Sequence, residues 1–278
     1  MNVGGKGEVS VSSGGKGKPV HVAVGKVPFL INYDAAETQV QDDPYLSLFF
    51  LEKDMHPGRV LNLYSPENTE TATFLPHEAG KEIPFSSEKF TEVLKQFSVK
   101  PGSVQAEIMN KTIEECEQPV IQGEERHCAT SLESMIDFST SKLGGNVNAI
   151  STEVANQTQK QEYTIEAGAK KMAGEQSVVC HKQNYAHAVF YCHETKTRAY
   201  MVPLEGVDGT KAKAAAVCHT DTSAWNPKHA AFRILRVKPG TFPICHVLPQ
   251  DHIVWVAKQK ASRIDPNRLI PYNYQIGM

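Results

Sequence analysis

Four cysteines of this chain are each followed directly by a histidine, a pairing of residue types that can both cross-link strands and bind metal. With 11 histidines among 278 residues, six cysteines are expected to precede a histidine only about 0.24 times by chance. The repetition therefore indicates a shared role for these pairs, which are Cys180-His181, Cys192-His193, Cys218-His219 and Cys245-His246.

A Cys-His step on a β-strand separates the two side chains, because neighbouring residues point to opposite faces of a sheet. Disulfides on the cysteine face would join strands, and four imidazoles would collect on the other face. Since an oxidised cysteine cannot bind a metal ion, the ion would meet mainly nitrogen donors. Imidazole-rich sites without thiolate suit copper(II) or zinc, and copper is the stronger binder in the Irving–Williams order. The pattern predicts an imidazole metal site, with copper favoured.

Two further interpretations of the Cys-His pairs stay open. One is a thiolate zinc site, but zinc fingers and ribbons use Cys-x2–4-Cys spacing, which the chain lacks. In the second, the disulfides form and the histidines are ordinary surface or core residues. His229 and His252 lie in the same region and would either complete a coordination sphere or act as structural hydrogen-bonding residues.

The even number of cysteines fits an oxidised framework, although six cysteines allow fifteen pairings. Cys116 and Cys128 are separated by eleven residues. A disulfide between them would contribute about 3 kcal/mol in the chain-entropy model. Two buried free thiols are the alternative. Strand neighbours favour two further pairings: Cys180 with Cys192, and Cys218 with Cys245.

Composition and charge exclude several classes of partner. The net charge is −2 and the pI is near 6.6, so no basic surface for nucleic acid or an anionic membrane is expected. The chain contains no run of about 18 apolar residues, the length that a membrane-spanning helix needs. The first residues lack a signal segment, so we expect either a cytosolic protein or a processed form. The cysteines favour a processed, secreted form, and glycosylation sequons stand at Asn110 and Asn156.

The elements that would position the Cys-His pairs differ along the chain. Residues 1–28 are a Gly/Lys/Val/Ser tract with too few large apolar side chains to offset ordering entropy, which predicts a flexible leader. In the middle, apolar residues with helical spacing predict one helix ending before Pro101 and a second running from Ser103 toward Cys116, and a capping box predicts a third from Thr130. The first helix has its apolar face at Phe90, Val93, Leu94 and Phe97.

The remaining patterns complete the fold prediction. Residues 141–176 are polar and predict a loop or a solvated helix. After Val178, short β-rich runs alternate with Gly, Pro and Asp. We therefore predict an α+β fold, with an N-terminal helical half followed by a C-terminal antiparallel β region stapled by disulfides. One domain is expected over residues 29–258, between the leader and a C-terminal extension of residues 259–278.

In its four Cys-His pairs and their spacing, the chain resembles the BURP-domain family of plants. Cys-His pairs in that family are separated by about 10, about 25 and about 25 residues, and here the intervals are 10, 24 and 25. The leader is similar to that of the seed-protein or dehydration-responsive members. The resemblance covers roughly residues 45–257 and rests on three further segments: Phe49–Gly58 (FFLEKDMHPG), Cys128–Met135 (CATSLESM) and Asp221–His229 (DTSAWNPKH).

The resemblance implies both an activity and a cofactor. Several members are autocatalytic, copper-dependent peptide cyclases, which use dioxygen to link a Tyr or Trp side chain of a short core peptide to another carbon. The resemblance implies an oxidoreductase that acts on ribosomally made peptides and that is located in the apoplast or vacuole. Its partners would be dioxygen and a core peptide that is fused or supplied in trans. The implied ligands of type II copper(II), which are also the catalytic residues, are His181, His193, His219 and His246.

The upstream sequence departs from that of the fused cyclases, whose core peptide carries a Trp or Tyr at its end. Before residue 45 the chain has no Trp, and its aromatic residues are Phe29 and Tyr33, in a segment that also fits a domain-entry strand. The alternative function is a non-catalytic secreted protein of the cell wall, pectin or stress response. The net charge argues against strong attraction to an acidic polymer, although Lys211 and Lys213 would form a local basic patch.

Overall fold

Extended backbone dominates the structure. The computed structural model describes residues 49–63, 72–120, 125–155, 161–172 and 175–258. The strands are β1 (Phe49–Leu51), β2 (Val60–Leu63), β3 (Glu125–Ala129), β4 (Val147–Ile150), β5 (Glu153–Val154), β6 (Gln161–Ile165), β7 (Lys170–Lys171), β8 (Gln176–Gln183), β9 (Val189–Gly206), β10 (Lys211–His219), β11 (Ile244–Val247) and β12 (Ile253–Ala257). The helices are α1 (His77–Glu82), α2 (Phe90–Gln96), α3 (Val104–Glu117), α4 (Leu132–Leu143) and α5 (Ala230–Leu235), with 3-10 turns at Glu52–Asp54 and Ser87–Lys89.

The strands join in one antiparallel sheet built around the long strand β9. The main path through the sheet runs β1-β11-β10-β9-β8-β12-β4. The first part of β9 pairs with β8 and β3, and its second part pairs with β10, β6 and β7. After Gly206 the chain turns back into β10 through Asp208-Gly209. Gly209 has φ +81°, a conformation that glycine adopts without strain, and Asp208 Oδ1 accepts a hydrogen bond from Thr210 N at 2.8 Å.

The predicted α+β division is wrong. The structure is mostly one large antiparallel sheet with a few short helices, and the N-terminal half is not helical. β1 and β2 precede every described helix, and the polar region 141–176 contains β4 to β7 instead of a loop or a solvated helix. These strands pair with distant segments, such as β1 with β11 and β4 with β12. Local periodicity cannot show such pairing, because each strand is stabilised by a partner far away in sequence.

Helices do form at the three predicted places in the middle of the chain. Val93 and Leu94 of α2 are buried. Ser103 Oγ accepts from Ala106 N to cap α3, and Ser131, rather than Thr130, caps α4 by accepting from Ser134 N. No helix in the described part of the chain is long and apolar enough to cross a membrane.

Candidate metal centre

The structure closes three disulfides. Cys180 stands opposite Cys192 in the β8–β9 ladder, and Cys218 stands opposite Cys245 in the β10–β11 ladder, and each of these two pairs is bonded. The third disulfide joins Cys116 of α3 to Cys128 of β3. These are the pairings that strand neighbours and spacing favoured, and no described cysteine is free.

The sulfur atoms lie in apolar clusters on one face of the strands. Cys180 and Cys192 pack with residues that include Phe74 and Phe190, and Cys218 and Cys245 pack in a second cluster around Phe50. Because side chains alternate along a strand, the imidazoles beside these cysteines project from the opposite face. The cysteines are therefore occupied as cross-links and cannot serve as metal ligands.

The four imidazoles of the Cys-His pairs form a closed ring of neighbours, which we call the histidine cluster: His181, His193, His219 and His246. Centroid distances around it are 5.3 Å, 5.9 Å, 5.4 Å and 6.0 Å, and the ring planes of successive neighbours are within 28° of parallel. The structure thus brings together all four side chains that the pattern singled out.

Curvature of the sheet makes this convergence possible. β8, which carries His181, and β11, which carries His246, are separated in the sheet by β9 and β10. At about 4.8 Å per strand spacing, they would lie about 14 Å apart across the strands of a flat sheet. Their register positions on β9, Tyr191 and Ala199, would add about 26 Å along the strands at about 3.3 Å per residue. The two ring centroids are only 6.0 Å apart. The sheet must therefore curl, and the cluster lies on its concave face.

Imidazole nitrogens meet in close pairs. His181 Nε2 lies 3.3 Å from His193 Nε2, and His219 Nε2 lies 3.3 Å from His246 Nε2. His181 Nδ1 also lies 3.0 Å from Nδ1 of His252, which immediately precedes β12. A neutral imidazole has one N–H donor and one lone pair, so such a contact is a hydrogen bond when one ring donates and the other accepts, and the tautomers decide which ring donates.

Burial keeps the cluster neutral at ordinary pH. It lowers the pKa of His193 to about 4, and burial with neighbouring imidazoles lowers the pKa of His246 to about 3. The pKa values of His181 and His219 lie well below 6.5 for the same reasons. Neutral rings are the form that binds metal ions.

The two further candidate ligands, His252 and His229, have different positions. His252 is 1% exposed and reaches the cluster through its contact with His181. His229 Nδ1 accepts a hydrogen bond at 3.1 Å from Ala231 N and so caps α5, while its ring packs against Phe49 and Trp225. The Nδ1 lone pair of His229 is therefore engaged by backbone.

Half-buried aromatic side chains that we did not predict as site residues border the cluster. Trp225 lies 4.8 Å from His219, Tyr191 lies 5.8 Å from His193, and Phe49 lies 6.0 Å from His246, measured between ring centroids. We call these three residues the aromatic rim. Phe49 and Trp225 belong to segments that carried the family resemblance, which was the one signal in the sequence that pointed to them.

The spacing of the Nε2 pairs fits a shared ion. Two imidazole nitrogens bound at about 2.0–2.1 Å to one ion lie about 3.3 Å apart at the near-tetrahedral angle of zinc sites, and about 2.9 Å apart at the right angle of tetragonal copper(II), so copper would draw each pair slightly closer. Both Nε2 pairs are 3.3 Å apart. His219 Nδ1 is also buried without a hydrogen-bond partner among the described residues, an arrangement that calls for a partner.

The rings nevertheless face each other in pairs rather than a common point. Within the described residues, no set of three or more His, Cys, Asp or Glu side chains is already arranged around an ion. Where an Nε2 pair is joined by an N–H···N hydrogen bond, an ion can enter only when that proton leaves or moves to the other nitrogen of its ring. Metal binding should therefore compete with protons.

The remaining predicted positions lie apart from the cluster. Asn110 is on α3, where its side chain donates to Glu114 Oε1 at 2.6 Å, and Asn156 lies outside the described residues, as do segments 1–28 and 259–278. Lys211 and Lys213 line a cavity of about 1040 Å³ together with acidic Glu153 and Glu166. No imidazole is among the described residues that line it.

The fold and the cluster define a class: a disulfide-stapled β-sheet protein that buries a ring of neutral imidazoles. The family model described as BURP domain matches residues 48–257, so the chain belongs to the BURP-domain family of plants.

Two similar plant proteins support the assignment of the chain to this family. The chain is 56% identical over 260 residues to BURP domain protein RD22 of Arabidopsis thaliana, covering 90% of this chain and 66% of that protein. It is 54% identical over 246 residues to BURP domain-containing protein 3 of Oryza sativa subsp. japonica, covering 86% of this chain and 57% of the relative. The chain thus spans less than two thirds of the length of either relative.

Proposed function

We propose that the protein is a copper-dependent, dioxygen-using peptide cyclase that cross-links a Tyr or Trp side chain of a short core peptide. The observation that carries this proposal is the closed ring of four buried, neutral imidazoles whose adjacent cysteines are all oxidised. Such a donor set favours copper(II) over zinc in the Irving–Williams order. The activity also accords with what the resemblance to BURP cyclases implies.

Each group in the site would have a defined task. His181 with His193 and His219 with His246 would hold copper through their Nε2 atoms, and the disulfides behind them keep the strands in register. Bound copper would supply one-electron chemistry with dioxygen. In the overall reaction, two bonds to hydrogen break in the peptide and one cross-link forms, while two electrons and two protons pass to dioxygen.

The aromatic rim supports a peptide substrate with an aromatic side chain. Phe49, Tyr191 and Trp225 are half-buried, whereas each ring of the cluster is at most 7% exposed. An aromatic substrate ring would pack against these side chains in offset or edge-to-face contact, worth about 0.5–1.5 kcal/mol per pair. Phe49 begins β1 beside His246, so a core peptide fused upstream of β1 would be attached next to the cluster.

The test measures copper and hydrogen loss on the same protein. We expect near-stoichiometric copper by elemental analysis, no free thiol, and loss of two hydrogens per cross-link from a Tyr- or Trp-containing peptide, fused or added, under oxygen. His193→Ala and His219→Ala should abolish both copper binding and hydrogen loss. His56→Ala is the matched control, because His56 is exposed.

Each contrary outcome contradicts a defined part of the proposal. Copper binding without hydrogen loss on any fused or added peptide would overturn the enzymatic activity. A folded protein that binds no copper and is retained on acidic polysaccharide would instead support the non-catalytic cell-wall function. Zinc with four free thiols would overturn the disulfide framework.

A further inference from the structure

The contact between His252 and His181 follows from strand register. In the β8–β12 ladder Ile253 stands opposite Cys180. Continuing that antiparallel register by one residue places His252 opposite His181, and by two residues places Asp251 opposite Lys182. Both cross-strand pairs are in contact: the two Nδ1 atoms are 3.0 Å apart, and Lys182 Nζ lies 3.4 Å from Asp251 Oδ2. The strand pairing therefore holds an imidazole pair beside an ion pair.

This contact determines which nitrogen of His181 can face the cluster. His181 has its Nε2 toward His193 and its Nδ1 toward His252. For His181 Nε2 to present a lone pair, the ring proton must be on Nδ1, where it is donated to His252 Nδ1. His252 then carries its own proton on Nε2, which lies 3.8 Å from Asp251 Oδ1. At that distance the carboxylate makes no hydrogen bond, but its negative charge attracts the N–H dipole at Nε2 and so favours that arrangement electrostatically.

We propose that His252 is a positioning residue rather than a metal ligand: by accepting the Nδ1 proton of His181, it keeps Nε2 of His181 available to the cluster. Asp251 stabilises His252 in the matching tautomer, and Lys182 holds Asp251 in place. This inference deepens the proposed copper site and rests on it for its role. The proton position itself is a property of the metal-free protein and can be tested separately.

The first experiment locates protons in the metal-free protein by ¹⁵N NMR of the histidine rings, with the His181 signals assigned through His181→Gln. We expect the proton of His181 on Nδ1 in the wild type. His252→Leu removes the acceptor and should shift His181 toward the Nε2–H form. His252→Asn places an amide near the former Nδ1 position and should restore the wild-type pattern. A proton on Nε2 of His181 in the wild type would overturn the inference.

The second experiment compares copper affinity among the same variants by competition with a chelator. His252→Leu should weaken binding by about 10–100-fold, the range for outer-shell partners. His252→Asn should stay within about 3-fold of the wild type and keep the same nitrogen count in the copper EPR spectrum. If His252 were a ligand, Asn would lose one nitrogen and as much affinity as Leu, which would overturn the positioning role.

The two experiments separate failure of the inference from failure of the copper site. Should the wild type bind no copper, the proposed function fails, and the NMR measurement still decides where the His181 proton lies. Should His252→Leu not fold, because His252 is 1% exposed, the wild-type spectrum and the Asn variant decide the outcome.

Discussion

At the scale of single residues, the buried histidines in the described part of the chain differ in what their nitrogens contact. In the cluster these nitrogens meet other imidazoles, and in His229 one nitrogen caps a helix. His187 lies in an aromatic environment beside Phe97 and Tyr185, where its Nδ1 contacts Ala188 O. All of these histidines are buried, so burial alone does not identify a candidate metal ligand. The atoms that the ring nitrogens contact distinguish the candidates from the structural histidines.

The capping role of His229 can be separated from a ligand role by substitution. His229→Ala removes the acceptor for Ala231 N and should lower the free energy of unfolding by about 1 kcal/mol. His229→Asn, a good N-cap residue, should stay within about 0.5 kcal/mol of the wild type. Urea unfolding measures both. The two variants should keep the wild-type copper content, and its loss in the Asn variant would show that His229 is a ligand.

Trp225 should report on copper directly. Its ring lies 4.8 Å from His219, whereas the second tryptophan of the chain, Trp255, is 9% exposed in the cluster of Phe74 and Phe190. We expect copper(II) to quench much of the tryptophan fluorescence and zinc, which is not redox-active, to quench little. Trp225→Phe should remove most of the quenching and Trp255→Phe should retain it. Equal quenching in both variants would place copper away from His219.

At the scale of elements, sequence patterns predicted what local interactions decide. α2 follows an apolar repeat, and Ser103 and Ser131 cap their helices through contacts three residues away. The cluster was also foreseeable, because alternation along a strand separates each cysteine from its histidine. Two features could not be predicted from the sequence: the contact of His252 with His181 and the pairing of β1 with β11. Both depend on the register of strands that are distant in sequence.

Two of the disulfides should contribute similarly to stability but unequally to metal binding. Replacing Cys218 and Cys245 with Ala opens a loop with a sequence separation of 27 and should cost about 3–4 kcal/mol in the chain-entropy model. It should also weaken copper binding, because His219 and His246 adjoin that cross-link. Replacing Cys116 and Cys128, 12 residues apart, should cost about 3 kcal/mol and leave copper affinity unchanged. Equal losses of affinity in the two variants would contradict this division.

At the scale of the whole molecule, the fold buries several imidazoles that must stay neutral. Burial lowers the pKa values of His187, His193, His229 and His252 to about 4, from 6.5. In the unfolded chain the same rings take up protons near pH 6.5. At these four histidines the native state therefore binds fewer protons than the unfolded state between about pH 6.5 and pH 4, which outweighs the one proton that Glu115, with its pKa raised to about 7 by burial, retains in the native state. Folding and proton uptake oppose each other throughout that interval.

The metal-free protein should lose stability as the pH falls through this interval. Above about pH 6.5 the rings are neutral in both states, so the free energy of unfolding is at its full value. Below about pH 6.5 each buried histidine lowers the free energy of unfolding by up to about 1.4 kcal/mol per pH unit, until the pH reaches the native pKa of that histidine. Urea unfolding at pH 7.5, 6.5, 5.5 and 5 measures the slope. His187→Phe, at a site already lined by Phe97 and Tyr185, should reduce that slope by the contribution of one proton. A free energy of unfolding that stays constant from pH 7 to pH 5 would mean that the imidazoles are protonated inside the folded protein, and the cluster could not then be the neutral donor set that metal binding needs.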